Sequence, residues 1–217
     1  DVLKGIQLDH MVSLKVEGND YKFQLKDDDV KARPLIRIGN DWAILYFDNF
    51  TNRLAGIRYL DGKTLVTLRP YSLTYRGELF QQKNLNHDQW EAVEAGEDQG
   101  ILDMTNVIRT RFGLNTLKWN DKAATAAFGH SKDMAVHNYF AHTSPTQGTV
   151  GERLHKAGIK FWEAGENIAY NYPDGIAAMF GWLNSKGHRE NLLHKTYTGL
   201  GVGVYEKEYT QDFVKPF

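Results

Sequence analysis

Three residues of the chain carry chemistry where folded proteins tend to build sites. They are His142 in "YFAHTSP", Glu166 in "GENIA" and His188 in "KGHRENLL". An imidazole can ligate a metal or move a proton near neutral pH. A nearby carboxylate can fix its tautomer or share its ligand. Each of the three stands near an expected end of a helix or in a loop, and loops held by rigid elements usually carry sites. Their spacing alone does not show that they converge. A capping glutamate and two solvated surface histidines would account for the same residues, since most polar side chains are only hydrated.

Other arrangements are weaker. "GHRENLLH" resembles a zinc-protease helix, but that motif needs two histidines at i and i+4. Here His188 and His194 are six apart. His130 and His137 share a helix flank, but seven residues put them about 10.5 Å apart along the axis. Two Zn–N bonds of about 2.1 Å do not span that, so both are expected to hydrogen-bond locally. Thr143, Ser144 and Ser185 lie near histidines in sequence, but no G-x-S-x-G elbow is present. "GVGVYEK" opens no helix and lacks the Lys-Ser/Thr of a phosphate loop. Tyr139, Phe140, Phe161, Trp162, Tyr170, Tyr172 and Trp182 can line a groove, although such residues usually form core.

The composition bounds the rest. The chain has 217 residues, 41% hydrophobic and 24% charged, enough for one large or two small packed domains. A net charge of −1 gives no reason to expect nucleic acid as partner. No apolar run approaches the roughly 18–20 residues of a membrane span. There is no cysteine, which excludes disulfides, thiolate zinc sites and a thiol nucleophile. The chain begins at Asp1 rather than Met, as a trimmed precursor would.

The elements that must position these residues change texture along the chain. Residues 11–80 alternate as strands. "VSLKV" and "YKFQL" flank a polar "EGND" turn, "KDDD" at 26–29 reads as another turn, and Asp61-Gly62 reads as a hairpin turn between two short strands. Residues 83–97 are polar with little periodicity and read as a linker with a helical turn around Trp90. From 98 the period becomes helical. Ile101, Met104, Ile108 and Phe112 form one stripe. A second helix buries Ala124, Ala127, Phe128, Ser131, Met134 and Ala135, and small residues there imply close packing. "VGERLHKAG" is a short helix, and "PDGIAAMFGWLNSKG" is another, ending at Gly187. "GLGVGVYEK" and "YTQDFVKPF" read as strands, the first crowded with glycine so that something can approach it. The fold class is therefore α+β: a β-rich domain at 1–82, a linker at 83–97 and a helix-rich domain at 98–217.

Six segments in order resemble the CAP superfamily, the cysteine-rich secretory, antigen 5 and pathogenesis-related proteins. They are "LDMTNVIRTRFGLNTLKWN", "AFGHSKDMAVHNYFAHTSP", "GERLHKAGI", "GENIA", "MFGWLNSKGHRENLLH" and "GLGVGVYE" with "YTQDF". The lack of cysteine and the "GHR-x-N-L-L" form resemble the family's bacterial branch, and the first half resembles a CAP-associated N-terminal domain of Gram-positive bacteria. The resemblance implies an α-β-α sandwich over 98–217 and a secreted or cell-envelope location. It implies a cleft in which His142, Glu166 and His188 meet. A second glutamate of the family's W-x-x-E run is replaced here by Ser185 in "WLNS". His142 and His188 are the implied metal ligands, with Zn²⁺ or another divalent cation as the metal and no organic cofactor. Family members mostly lack an established activity, so the expected function is binding of a ligand, a protein or a cell-wall partner. The alternatives are a metal-assisted hydrolase of peptide or wall polymer, with Glu166 as base, and a lipid or sterol carrier.

Overall fold

The computed structural model of the protein describes residues 8–217; residues 1–7 of the expected β-rich domain lie outside the described residues. The chain divides into two compact units between Asn84 and Leu85.

In the first unit two three-stranded antiparallel sheets form. One is β1 (Met11–Val16), β2 (Asn19–Gln24) and β6 (Ser72–Arg76); the other is β3 (Leu35–Ile38), β4 (Asp41–Asp48) and β5 (Arg53–Leu60). The first hairpin turns at Glu17 and Gly18, both with positive φ, a two-residue turn whose twist suits antiparallel strands. Tyr21 and Phe23 are buried while Lys22 and Gln24 are exposed, as the alternation requires. Two turn expectations fail. "KDDD" opens helix α1 (Asp27–Ala32), and Asp61 caps helix α2 (Gly62–Leu68) instead of turning a hairpin. Asp61 accepts the Thr64 N–H at 2.8 Å and its hydroxyl at 2.7 Å. With that cap in place and Leu65 and Val66 fully buried, helix wins over the β propensity of "TLVTL".

The second unit opens with α3 (His87–Arg111), so residues 87–97 are helix and not linker. Asn86 and Gln89 exchange a reciprocal capping box at its start. The segment lacks an apolar stripe because its acids bind a hairpin: Asp98 accepts the Val204 N–H and Glu94 the Glu206 N–H, each at 2.9 Å. Further along, Ile101, Leu102, Thr105, Ile108 and Arg109 are buried, while the C-cap Phe112 is exposed.

The sheet runs β7 (Lys118–Trp119), β9 (Gly199–Tyr205), β10 (Glu208–Pro216) and β8 (Phe161–Tyr170). Only the β7–β9 pair is parallel. Helix α4 (Asp121–His137) covers one face, where Ser131 Oγ meets Thr210 Oγ1 at 2.8 Å. Helix α3 covers the other, where Gln211 Nε2 donates to Thr105 Oγ1 at 3.0 Å. Helix α6 (Gly175–Leu183) packs on α3, and α5 (Val150–Lys156) joins α4, with Ala123, Ala126, Leu154 and Val214 in one cluster. This is the three-layer α-β-α sandwich that the resemblance implied.

The glycines of β9 explain how α4 sits. A Cβ on Gly201 would lie 2.0 Å from the Ala124 amide nitrogen, and one on Gly203 2.0 Å from that of Phe128. Helix backbone rests directly on strand backbone. Leu200, Val202 and Val204 point to the opposite, α3-covered layer and are buried there. The α4 stripe was placed slightly off: Ala127, Ser131 and Met134 are buried, but Phe128 is exposed, and His130 and Asp133 take buried places.

Candidate functional site

Edge strand β8 organises the site through two adjacent residues. Glu166 pairs in register with Asp212 and faces the α4 layer; Asn167 pairs with Gln211 and faces the α3 layer. Neither sits in a loop, which corrects the expectation for Glu166. Nor does the preceding helix end at Gly187: α6 stops at Leu183, and His188 lies in the first turn of a separate helix, α7 (Lys186–Leu192). His142 does lie in a loop, after α4.

Glu166 holds the ring of His142. Its Oε1 accepts from His142 Nδ1 at 2.8 Å, and its Oε2 accepts from Arg153 Nη2. The Glu166 side chain is 2% exposed and that of His142 58%. Burial alone would raise the Glu166 carboxyl. The His142 hydrogen bond, then the charge of Arg153, outweigh it and hold the carboxyl below its ordinary value. A carboxylate only accepts, so His142 carries its proton on Nδ1 and its Nε2 is left for a ligand.

Asn167 holds the backbone of His188. Its Nδ2 donates to His188 O at 3.1 Å and to Gln211 Oε1 at 3.1 Å. Asn191, on the same helix as His188, donates to Glu166 O and Asn167 Oδ1, each at 3.0 Å. Burial lowers the His188 imidazole, and a proton on both nitrogens of His142 would lower it further. His188 is therefore favoured as the neutral base. Ser185, where the family's second glutamate would stand, starts α7 without a side-chain capping bond. The structure thus brings His142 onto Glu166 and His188 beside them.

Four buried polar residues that support His142 and Glu166 were not singled out as site residues in the sequence. Arg153 also donates to His142 O at 3.0 Å and Gly148 O at 2.7 Å, so one guanidinium fixes both the acid and the histidine loop. Asp133 closes that loop: Ser144 Oγ donates to it at 2.6 Å, and Tyr139 and Thr146 donate as well. Ser144 is accordingly a loop staple and not a nucleophile. His130 lies 3.9 Å from Glu166 Oε2 and hydrogen-bonds Ala141 O at 3.0 Å; burial lowers its pKa. Asp212, fully buried beside Glu166, receives no hydrogen bond on either oxygen from a donor among the described residues. Burial, then the Glu166 charge, push its carboxyl well up, so it is held as the neutral acid. His137, as expected, bonds locally, to Asp133 at 2.9 Å.

Asp133 gives a pH signature. Burial would raise its carboxyl, but the donors from Ser144, Tyr139 and Thr146 prevail and hold it at about 2. Its stabilisation is complete above about pH 4, the unfolded value, and is lost as pH falls through 2. Asp133→Asn should therefore flatten the dependence of urea stability on pH between about 4 and 2. An unchanged acid limb would assign that loss to another carboxylate.

As to metal, no three His, Asp or Glu side chains are grouped as a metal site among the described residues. Glu166 has both oxygens engaged within the protein. A carboxylate stands behind His142, as one commonly does behind a ligating imidazole, but the described residues do not supply the three protein ligands of a catalytic zinc centre. The aromatic residues are not gathered on the two histidines: Tyr139, Phe140 and Tyr170 line a cavity whose lining includes neither His142 nor His188. Trp182 is buried and bonded to Ile168 O, Trp162 packs on Phe217, Phe161 stacks on His155, and Phe140 meets Tyr170.

The three-layer sandwich is that of a CAP-type domain. Residues 102–215 match the Cysteine-rich secretory protein family, CAP, and the chain belongs to that family. Residues 1–71 match the CAP-associated N-terminal family. A Bacillus anthracis structure, described as an extracellular protein containing an SCP domain, is 50% identical. It covers 99% of this chain and 70% of its own, with a TM-score of 0.94. A cysteine-rich secretory protein from Staphylococcus aureus shares the fold at 24% identity and a TM-score of 0.83, over 99% of this chain and 70% of that one. The Bacillus subtilis protein YlbC, named an uncharacterized membrane protein, is 45% identical over 215 residues, 99% of this chain. This chain spans 62% of the length of that curated relative. No described helix is long and apolar enough to cross a membrane. The protein is a CAP-domain protein of bacterial type.

Proposed function

We propose that the protein works in a secreted or cell-envelope setting as a binding protein. Its cleft, on this reading, takes a divalent cation such as Zn²⁺, or a ligand's hydrogen-bond donor, between His142 and His188. One observation carries the reading: buried Glu166 fixes His142 through Nδ1 and leaves Nε2, the electron-pair donor, for a ligand. His188, favoured as the neutral base, adds a second donor. A bound Zn²⁺ would supply an electron-pair acceptor. His142 and His188 would hold it, Glu166 would orient His142, and Arg153 would keep Glu166 ionised.

Binding is favoured over hydrolysis because both oxygens of Glu166 are already held, by His142 and Arg153, and its lowered pKa makes it a weak base toward water. The dispersed aromatics weigh against the lipid carrier. The location is supported by the Bacillus anthracis relative described as extracellular and the Bacillus subtilis relative named a membrane protein.

The test is titration of the full chain with ZnCl₂ at pH 7, read on histidine ring proton signals. His142 and His188 should respond together and saturate, and His142→Ala or His188→Ala should each abolish the response. Shifts confined to other histidines, or no saturation, would remove the cation from the reading.

A further inference from the structure

A second cavity, of about 330 Å³, opens between the C-terminal end of α4 and the start of β10. Buried Met134 forms part of its lining, and half-exposed Phe140 and Tyr170 stand at its rim, with ring centroids 6.1 Å apart. Tyr139 adds a third aromatic ring to the wall. Glu208 also lines the cavity; it is 4% exposed, and its Oε2 has no hydrogen-bond donor among the described residues. Lys207 lines the cavity too but does not satisfy that oxygen. Burial pushes the Glu208 carboxyl up to about 7, the behaviour of an acid whose counter-charge is missing.

From these groups we infer that the cavity is a binding site for an organic ammonium group, separate from the His142–His188 cleft. Three features converge on that chemistry. Aromatic faces attract cations, most strongly where water is displaced. A buried carboxylate with one oxygen lacking a donor among the described residues supplies the complementary charge. The carbonyl end of the 17-residue helix α4 adds negative potential at the same place. An anion would meet Glu206, Glu208 and that helix end. A bare divalent ion would need more oxygen ligands than Glu206 and Glu208 give. The volume falls at the lower end of the range for small-molecule pockets, which suits a methylated ammonium or a lysine-like amine head.

The full chain, labelled for backbone NMR, would be titrated with tetramethylammonium chloride and with methylammonium chloride, against sodium chloride at equal ionic strength. The amides of Phe140, Tyr170 and Glu208 should shift saturably with the ammonium salts and not with sodium. Glu208→Gln should weaken binding about tenfold or more, and Tyr170→Ala should weaken tetramethylammonium in particular. Tyr170 is 56% exposed, so its variant keeps the test usable if Glu208→Gln fails to fold. Equal binding of neutral tert-butyl alcohol, identical shifts with sodium, or unchanged affinity in both variants would overturn the assignment.

Discussion

Arg153→Met is expected to cost the protein about 3–5 kcal/mol of stability, the range for removing one partner of a buried ion pair. The side chain is 1% exposed and its partner Glu166 2%. Without the guanidinium, ionised Glu166 stays buried next to Asp212, and the carbonyls of His142 and Gly148 lose their donors. The cost should fall sharply in the double variant Arg153→Met/Glu166→Gln, because the stranded charge is then gone. Urea unfolding of both singles and the double gives the coupling. A loss below about 1 kcal/mol for Arg153→Met would place that pair among weak surface contacts instead.

Gly201→Ala and Gly203→Ala should be comparably damaging. The added methyl would land 2.0 Å from a main-chain nitrogen of α4 in each case, so helix and strand would have to part. Overpacking of a core costs about 1–3 kcal/mol, and a clash with backbone belongs at or above the top of that range. Gly187→Ala is the matched control: nothing lies within 4 Å of its added Cβ, and alanine suits helix α7 better than glycine. Melting temperatures should drop for the β9 variants and hold or rise for the control. Equal values for all three would mean that α4 does not rest on β9 as described.

Residue pattern revealed a good part of this molecule. The first hairpin was visible in the alternation around Glu17-Gly18, and the glycines of β9 announced a close neighbour before it was known to be α4. Family resemblance pointed to His142, Glu166 and His188. What stayed hidden has physical reasons. Strand β8 is covered on both sides where Asn167, Ile168 and Ala169 are buried, so it shows no clean alternation. The polar start of α3 looked like a linker because its acids serve backbone amides of a hairpin over a hundred residues away. Arg153, Asp133 and Asp212 drew no notice in the sequence, since nothing local marks a charged residue as buried. His130 and Asp133 left one trace: they fall on the same side of α4 as Met134 and Ser131, among residues that could only be facing inward.

The adjacency of Glu166 and Asn167 makes the cleft a proofreading device for the sheet. Successive residues of a strand face opposite sides, and a slip of one position exchanges them. A slipped β8 would turn the carboxylate toward α7 and the amide toward Arg153. His142 would lose its acceptor and the guanidinium its counter-charge, both in dry surroundings. Only the native pairing with β10 seats both His142 and the backbone of His188, so any loss of register in the sheet is reported at once by both histidines.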